Sequence, residues 1–123
     1  MRDHIVVCEP VAWNQLVYVD RLPEARPHMQ FALEAYETVG GTSVGKALHL
    51  AGLGHAVLCH TLLGNDARSG KLRSTLERAG VEVFAPVVPG PGERHLNLMT
   101  RAGDRVSIYL STPAFTEPDI AVF

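Results

Sequence analysis

A glycine-rich segment in the first half of the chain carries the residues best suited to binding chemistry. Gly40 and Gly41 stand directly before a predicted helix, and Thr42 and Lys46 fall in its first turns. Glycine permits a positive φ angle and a close approach of the backbone to a ligand. The unpaired amides at a helix N-terminus attract anions and hydroxyl oxygens. The sequence therefore predicts a binding site near Gly40 and Gly41.

One interpretation of this segment is a phosphate-binding P-loop. Residues 40–46 read Gly-Gly-Thr-Ser-Val-Gly-Lys and match GxxxxGK, whose amides and lysine bind nucleotide phosphates. That motif continues with Ser or Thr, because the hydroxyl binds magnesium, whereas this chain has Ala47. A P-loop also follows a buried parallel strand, but Glu34 and Glu37 interrupt the preceding apolar run. This nucleotide-binding hypothesis therefore ranks behind the alternatives described next.

A second interpretation covers most of the chain, from Val6 to Phe115. Short motifs follow one another in a definite order over this range. They are Val19-Asp20-Arg21-Leu22-Pro23, Gly40-Gly41, Ala47, Leu53-Gly54, Gly64-Asn65-Asp66, Ala79-Gly80-Val81 and Gly103-Asp104-Arg105. Each motif is common by itself. Their order and spacing together resemble the first half of a ribokinase-like (PfkB-type) carbohydrate kinase.

The resemblance implies an α/β fold, with a Rossmann-like parallel sheet, flanking helices and a small β-sheet lid. The lid strands are expected near residues 15–39 and 94–110. The resemblance further implies a sugar or nucleoside substrate, ATP and Mg²⁺ as cofactors of the complete protein, and a homodimer through the lid strands. In these kinases the C-terminal half holds a Gly-Ala-Gly-Asp anion hole, the catalytic aspartate and the ATP pocket. None of these occurs in the 123 residues of this chain.

We therefore expect residues 1–123 to be a truncated, N-terminal, acceptor-binding part of such a kinase. The chain is expected to contain no catalytic base and no metal site, and to phosphorylate nothing by itself. By resemblance, the acceptor-binding residues are Asn14, Gly40, Gly41, Thr42, Gly45, Lys46, Asn97 and Tyr109. The residues themselves also allow blander roles, with Asn14 as a turn former, Lys46 as a surface charge, and Asn97 and Tyr109 as ordinary lid residues.

Two positions depart from the family pattern. The sugar-contacting aspartate of these kinases falls on Asn14, which retains an acceptor oxygen and two N–H donors but has no charge. The asparagine of their Gly-Gly-x-x-x-Asn motif falls on Gly45, which offers only backbone groups. Three hypotheses follow: a sugar kinase with a divergent acceptor, a non-catalytic binding or dimerisation module, and the P-loop nucleotide binder.

Composition excludes several other classes of protein. The net charge is −2, and the sequence shows no basic stripe with interleaved aromatic residues, so we expect no nucleic-acid partner. No apolar run reaches the length of a membrane span or follows a basic N-terminus. The six histidines have no metal-binding spacing. Cys8 and Cys59 are interpreted as buried free thiols of a cytoplasmic protein, with a disulfide as the alternative.

Hydrophobic periodicity and turn residues predict alternating strands and helices. Helices are expected after Ser43, ending at Gly54, and from Asp66 to Ala79, with Ser43 and Asp66 as N-caps. Strands are expected at 4–9, 15–20, 30–39, 55–63, 81–88, 94–100 and 105–110, and a further strand is expected to begin at Ile120–Phe123. Strand–helix alternation predicts a parallel sheet, and the remaining strands must form a separate one.

Overall fold

The computed structural model of the chain describes residues 3–8 and 10–114. In chain order, its elements are β1 (Ile5–Val7), β2 (Ala12–Tyr18), β3 (Glu34–Gly40), α1 (Thr42–Gly52), β4 (Val57–His60), β5 (Leu63–Gly64), α2 (Ala67–Arg78), β6 (Glu82–Phe84), β7 (Val87–Val88), β8 (Arg94–Met99) and β9 (Arg105–Ser111).

The central sheet contains β1, β4 and β6, in the order β1-β4-β6, and both pairings are parallel. The short strands β5 and β7 pair in parallel as a separate two-stranded sheet. Helix α1 lies between β1 and β4 in the chain, and α2 lies between β4 and β6. This strand–helix alternation around a parallel sheet confirms the predicted fold class.

A four-stranded lid sheet, in the order β3-β2-β8-β9, forms the second layer. Its outer pairs are antiparallel, whereas β2 and β8 in its middle are parallel. Successive side chains of a strand point to opposite faces of the sheet. Asn14 and Trp13 of β2 therefore lie on opposite faces, which we call the Asn14 face and the Trp13 face.

The core is formed where the inward faces of the two helices meet the central sheet. Apolar residues three and four positions apart share one face of a helix. The buried residues that pack together are Val7, Val11, Val44, Ala47, Val57, Cys59, Leu63, Leu72, Leu76 and Val81. The helices contribute Val44 and Ala47 of α1 and Leu72 and Leu76 of α2 to this core.

The prediction of two free thiols is confirmed, but the prediction that both are buried is wrong for one of them. Cys8 and Cys59 are both free, but only Cys59 is buried, whereas Cys8 is exposed. Burial, together with the neighbouring Cys8, raises the pKa of the Cys59 thiol to about 11. Cys59 therefore stays protonated at neutral pH. Within the residues that the structure describes, no helix has the length and apolarity needed to cross a membrane.

The predicted N-cap of α1 was wrong. The cap position is Gly41, and no side chain caps the helix. Helix α1 begins at Thr42, which places Ser43 inside the first turn and on the inward face, where it is fully buried. The hydroxyl of Ser43 finds no hydrogen-bond partner among the described residues.

Several predicted strand boundaries also shift. The expected strands 55–63 and 81–88 are each divided in two, because Pro86 supplies a carbonyl to Leu63 but has no amide for the ladder. Strand β3 starts at Glu34 rather than at residue 30. Strand β2 starts at Ala12, so Asn14 lies inside a strand rather than in a turn. The strand expected at 120–123 lies outside the described residues.

Asp66 caps α2 as predicted, and it also ties the helix to the lid. Its Oδ1 accepts hydrogen bonds from the amide of Ser69 (3.3 Å), from the Ser69 hydroxyl and from the amide of Gly92 (3.4 Å), which precedes β8. Burial alone would raise the pKa of Asp66, but the bonds from Ser69 and Gly92 outweigh it and lower that pKa below its usual value. The ionised carboxylate therefore joins the two layers.

We predict that Asp66→Ala lowers the free energy of unfolding by about 1–2 kcal/mol at pH 7, because a cap and a bond to the lid are both lost. Since the folded pKa is depressed, the contribution is complete above the unfolded pKa of about 4 and disappears as pH falls through the folded value. Urea unfolding at pH 7 and at pH 3 measures both effects. The exposed Glu24→Ala serves as the control, and an equal loss at both pH values would contradict the assignment.

Candidate functional site

The turn between β3 and α1 requires glycine at Gly41. This residue has a φ of 87°, a conformation that other residues rarely adopt. A Cβ atom here would lie 2.9 Å from the carbonyl oxygen of Pro10 and 3.3 Å from the amide nitrogen of Ala12. The start of α1 is therefore pressed against the chain that leads into β2.

Gly40 is required for a different reason, because it makes room for Asn14. A Cβ atom on Gly40 would lie 2.0 Å from Nδ2 and 2.4 Å from Cγ of Asn14. The carboxamide of Asn14 thus lies directly against the Gly40 backbone. This contact brings together two of the residues that the resemblance implied.

Asn14 also has an unmet hydrogen-bonding need. Its Oδ1 is buried and has no hydrogen-bond partner among the described residues. Buried polar atoms are nearly always hydrogen-bonded, and an unsatisfied one costs about 1–3 kcal/mol. A hydroxyl or N–H group from a ligand would satisfy this oxygen.

Asn14 belongs to a row of four residues on one face of the lid sheet. The register places Thr38 of β3 on one side of Asn14, with His95 of β8 and Tyr109 of β9 on the other. The rings of His95 and Tyr109 stack with their centroids 4.0 Å apart. Tyr109 is 62% exposed, so this row pairs an amide with an accessible aromatic surface.

The side chain of His95 is held in place by an acidic partner, Glu93. Its Nε2 lies 3.1 Å from Oε2 of Glu93, and each of these side chains is only 11% exposed. His95 in turn supports the ring of Tyr109. The pair holds the aromatic surface in one orientation next to Asn14.

Asn97 lies on the same face, one row further along β8. It is 7% exposed, and its Oδ1 accepts a hydrogen bond of 2.6 Å from the Ser107 hydroxyl. The register places it beside Leu16, two residues after Asn14 on β2. Asn97 therefore shares the face of the site, while its oxygen is already occupied.

The first turns of α1 offer an exposed, uncapped helix N-terminus. Thr42, Gly45 and Lys46 are exposed and lie on one side of the helix, because residues three and four apart are neighbours. No acidic residue lies in the first turn, and a Cβ on Gly45 would meet nothing within 4 Å. The space beside Gly45 is therefore open.

The structure thus brings Asn14 into contact with Gly40, the residue before Gly41, and it places Asn97 and Tyr109 on the Asn14 face. Thr42, Gly45 and Lys46 continue from Gly41 along α1. His95 was considered from the sequence only as a candidate metal ligand, and its contact with Tyr109 was missed. Its period-2 position in β8 was visible, but its register against β2 was not. Residues 3–8 and 10–114 contain no group of three or more His, Cys, Asp or Glu side chains able to hold a metal ion.

Solved structures with a similar fold include several sugar kinases. A microbiome-derived acarbose kinase matches with a TM-score of 0.83 and 26% identity over 97% of this chain and 40% of its own. Ribokinase from Thermotoga maritima matches with a TM-score of 0.75 and 23% identity over 87% of this chain and 36% of its own. Arabidopsis thaliana ribokinase, solved with ribose and ATP, matches with a TM-score of 0.72 and 23% identity over 89% of this chain and 36% of its own.

These matches confirm the predicted resemblance and the ribokinase-like fold. The chain spans about 36–40% of the length of these three proteins. No protein-family model matches the sequence, and no curated protein matches it.

We predict opposite effects for two glycine-to-alanine changes. Gly40→Ala should destabilise the fold and displace the Asn14 side chain, because the new methyl group would overlap its amide. Gly45→Ala should raise the free energy of unfolding by about 0.5–1 kcal/mol. The reason is that alanine, the best helix former, replaces a helical glycine that has open space beside it. Urea unfolding of both variants measures the effects.

A double variant separates steric overlap from a general backbone effect. Asn14→Ala combined with Gly40→Ala should recover most of the stability that Gly40→Ala loses, because the overlapping amide is gone. Purely additive effects would show that the Asn14–Gly40 contact is not the constraint.

Proposed function

We propose that this chain is the acceptor-binding part of an ATP-dependent carbohydrate kinase that phosphorylates a sugar or nucleoside hydroxyl. The observation that carries the proposal is the buried, unpaired Oδ1 of Asn14 beside Gly40. It stands where the resemblance implies the acceptor-binding residue. The ribokinase-like fold supports the assignment at the level of architecture.

Asn14 can serve a hydroxylated ligand in two ways. Its Oδ1 accepts a hydrogen bond from one hydroxyl, and its Nδ2 donates to the oxygen of another. The Gly40 and Gly41 backbone lets a sugar ring approach closely, because no side chain stands there. The exposed ring of Tyr109, held by His95, offers an apolar surface to the ring of a sugar or nucleoside.

Phosphoryl transfer depends on positioning and on charge stabilisation rather than on covalent chemistry by the protein. The residues of this chain would orient the acceptor hydroxyl, and the lid sheet would exclude water from it. Bound ATP supplies the phosphoryl group. By the resemblance, the C-terminal half of such a kinase would hold ATP and Mg²⁺.

The P-loop alternative fits the geometry poorly. The strand before Gly40 is β3, which pairs antiparallel with β2 in the lid, whereas a P-loop follows a buried parallel strand. Ala47, at the position of the magnesium-binding hydroxyl, is buried and apolar. We therefore propose that α1 serves the acceptor rather than a nucleotide, and that the chain alone has no kinase activity.

The non-catalytic alternative shares the same ligand site. The uncharged Asn14 favours it, since the related kinases carry an aspartate there. Both hypotheses predict sugar binding, and they differ in whether the complete protein transfers phosphate. The free Cys8 and Cys59 support a reducing, cytoplasmic location for either protein.

We predict that one class of sugars or nucleosides raises the melting temperature of this chain and that ATP does not. A ligand at 100 times its Kd stabilises by about 2.7 kcal/mol, which a thermal-shift screen of pentoses, hexoses, sugar acids and nucleosides detects. Asn14→Ala should abolish the shift, because the hydrogen-bonding amide is lost. Gln15→Ala, on the opposite face of the same strand, should retain it.

Two outcomes of this screen would contradict the proposal. A shift with ATP alone would favour the P-loop hypothesis instead. A sugar-induced shift of equal size in Asn14→Ala and wild type would place the site elsewhere.

We also propose that the lid strands form a homodimer interface. On the Trp13 face, Ala35, Val17, Leu98 and Val106 form an apolar row across all four strands. Val106 is 41% exposed, and Ile108 on the same face is 44% exposed. An exposed apolar sheet face of this kind is a common site of self-association, and a second copy of the lid would cover it.

We predict that Ile108→Asp converts the dimer to a monomer, because a charge would be buried in the interface. Leu53→Asp is the matched control, since Leu53 is 64% exposed after α1 and lies outside the lid. Sedimentation equilibrium measures both masses. A monomeric wild-type chain, or a dimeric Ile108→Asp variant, would refute this interface.

A further inference from the structure

A second group of polar side chains without partners lies on the Trp13 face. Trp13 of β2 and Arg94 of β8 are register partners in the parallel pair, so their side chains leave the same face side by side. The amide of Trp13 bonds to the carbonyl of Glu93 (2.9 Å), which secures this register. The Trp13 ring packs against the core.

Both side chains have buried donors that lack acceptors. Nε1 of Trp13 and Nε of Arg94 are each shielded from solvent, and neither has a hydrogen-bond partner among the described residues. Arg94 also forms no ion pair there. A buried cationic N–H without an acceptor is costly, as is an unsatisfied indole N–H. The missing element at this point is an acceptor with negative charge.

Helix α2 adds positive charge beside Trp13. Nζ of Lys71 lies 5.7 Å from the centre of the Trp13 ring. Arg68, one helical turn earlier, is already paired with Glu37 at 3.6 Å, so that carboxylate serves Arg68 rather than Arg94. Glu93 is similarly held by His95. Neither acid is paired with Arg94 or Lys71.

The indole of Trp13, the guanidinium of Arg94 and the ammonium of Lys71 share one chemical property. Indole N–H, guanidinium and ammonium groups donate hydrogen bonds and accept none. A set made only of donors, with two positive charges, suits a ligand that only accepts and is negatively charged. We propose that Trp13, Arg94 and Lys71 form a binding site for an oxyanion of the phosphate class.

This site is separate from the acceptor site. Trp13 and Asn14 are consecutive residues of β2 and point to opposite faces of the lid sheet. The oxyanion would lie between the Trp13 face and helix α2, whereas the acceptor would lie on the Asn14 face. The inference therefore does not depend on sugar binding and can succeed or fail without it.

Trp13 makes the test direct, because it is the only tryptophan of the chain. Inorganic phosphate is titrated at constant ionic strength, with sodium chloride as the reference salt, while the tryptophan emission is recorded. We expect a saturable change with phosphate and none with chloride. Sulfate, another tetrahedral oxyanion, should compete.

Variants assign the binding to the named residues. Arg94→Gln should raise the phosphate Kd at least about tenfold, because a charge-assisted hydrogen bond is lost. Lys71→Gln should raise the phosphate Kd only several-fold, since the ammonium group of Lys71 is exposed. Arg105→Gln removes the same charge from the opposite face of the sheet and should leave the phosphate Kd unchanged.

Arg94→Lys keeps the result interpretable should Arg94→Gln fail to fold. It retains the charge but loses the Nε donor, so it should bind phosphate more weakly than wild type and more tightly than a folded Arg94→Gln. Circular dichroism verifies the folding of each variant. Ribose 5-phosphate tests whether the site also accepts a phosphate group that belongs to a larger molecule. If it competes with inorganic phosphate for binding, such a group enters the site.

Three results would overturn the proposal. The first is a wild-type emission that phosphate leaves unchanged. The second is a response that chloride reproduces. The third is a phosphate Kd that remains the same in folded Arg94→Gln and Lys71→Gln.

Discussion

The candidate site depends on the absence of a side chain at Gly40. Because the carboxamide of Asn14 occupies the space where a Cβ would stand, β2 and the end of β3 approach closely enough to present the amide next to the start of α1. Gly41 then turns the chain with a φ of 87° into the helix. Two adjacent glycines thus join a lid strand to a helix of the core. Any larger residue at Gly40 would force the amide, the strand or the helix to move.

A second junction holds the lid to the core from the other side. Asp66 accepts hydrogen bonds from its own helix and from Gly92, which leads into β8. Ser111 at the end of β9 donates to the carbonyl of Gly92 at 2.7 Å. The two middle strands of the lid are therefore anchored at separate points, β2 through Gly40 and β8 through Asp66. Anchoring at both points fixes the parallel register that sets Asn14 beside His95.

The sequence was sufficient for the architecture and for part of the site. Strand–helix alternation predicted the parallel sheet, and Asp66 caps α2 as its position before that helix predicted. The resemblance led to Asn14, Gly40 and Gly41, and the structure places Asn14 against Gly40. The predicted cap at Ser43 was wrong because a glycine at positive φ begins the helix earlier than the local propensity suggests. Local patterns of this kind cannot report a turn that a distant segment determines.

Features that depend on register were beyond sequence analysis. His95 lies beside Asn14 only because β2 and β8 pair in parallel, although they are far apart in the chain. The same pairing brings Trp13 and Arg94 together on the opposite face. No periodicity within either strand distinguishes this register from one shifted by two residues. Contacts of this type, rather than motifs, decide which polar side chains have partners.

The most direct measurement is an NMR titration of the chain, whose 123 residues give a tractable spectrum. The side-chain amide of Asn14 is assigned from its disappearance in Asn14→Ala, and sugars or nucleosides are then added. If Asn14 binds the acceptor, its side-chain amide and the backbone amides of Gly40 and Gly41 should shift together and saturate at one Kd. Saturating shifts that leave these three signals unchanged would contradict the assignment of the site.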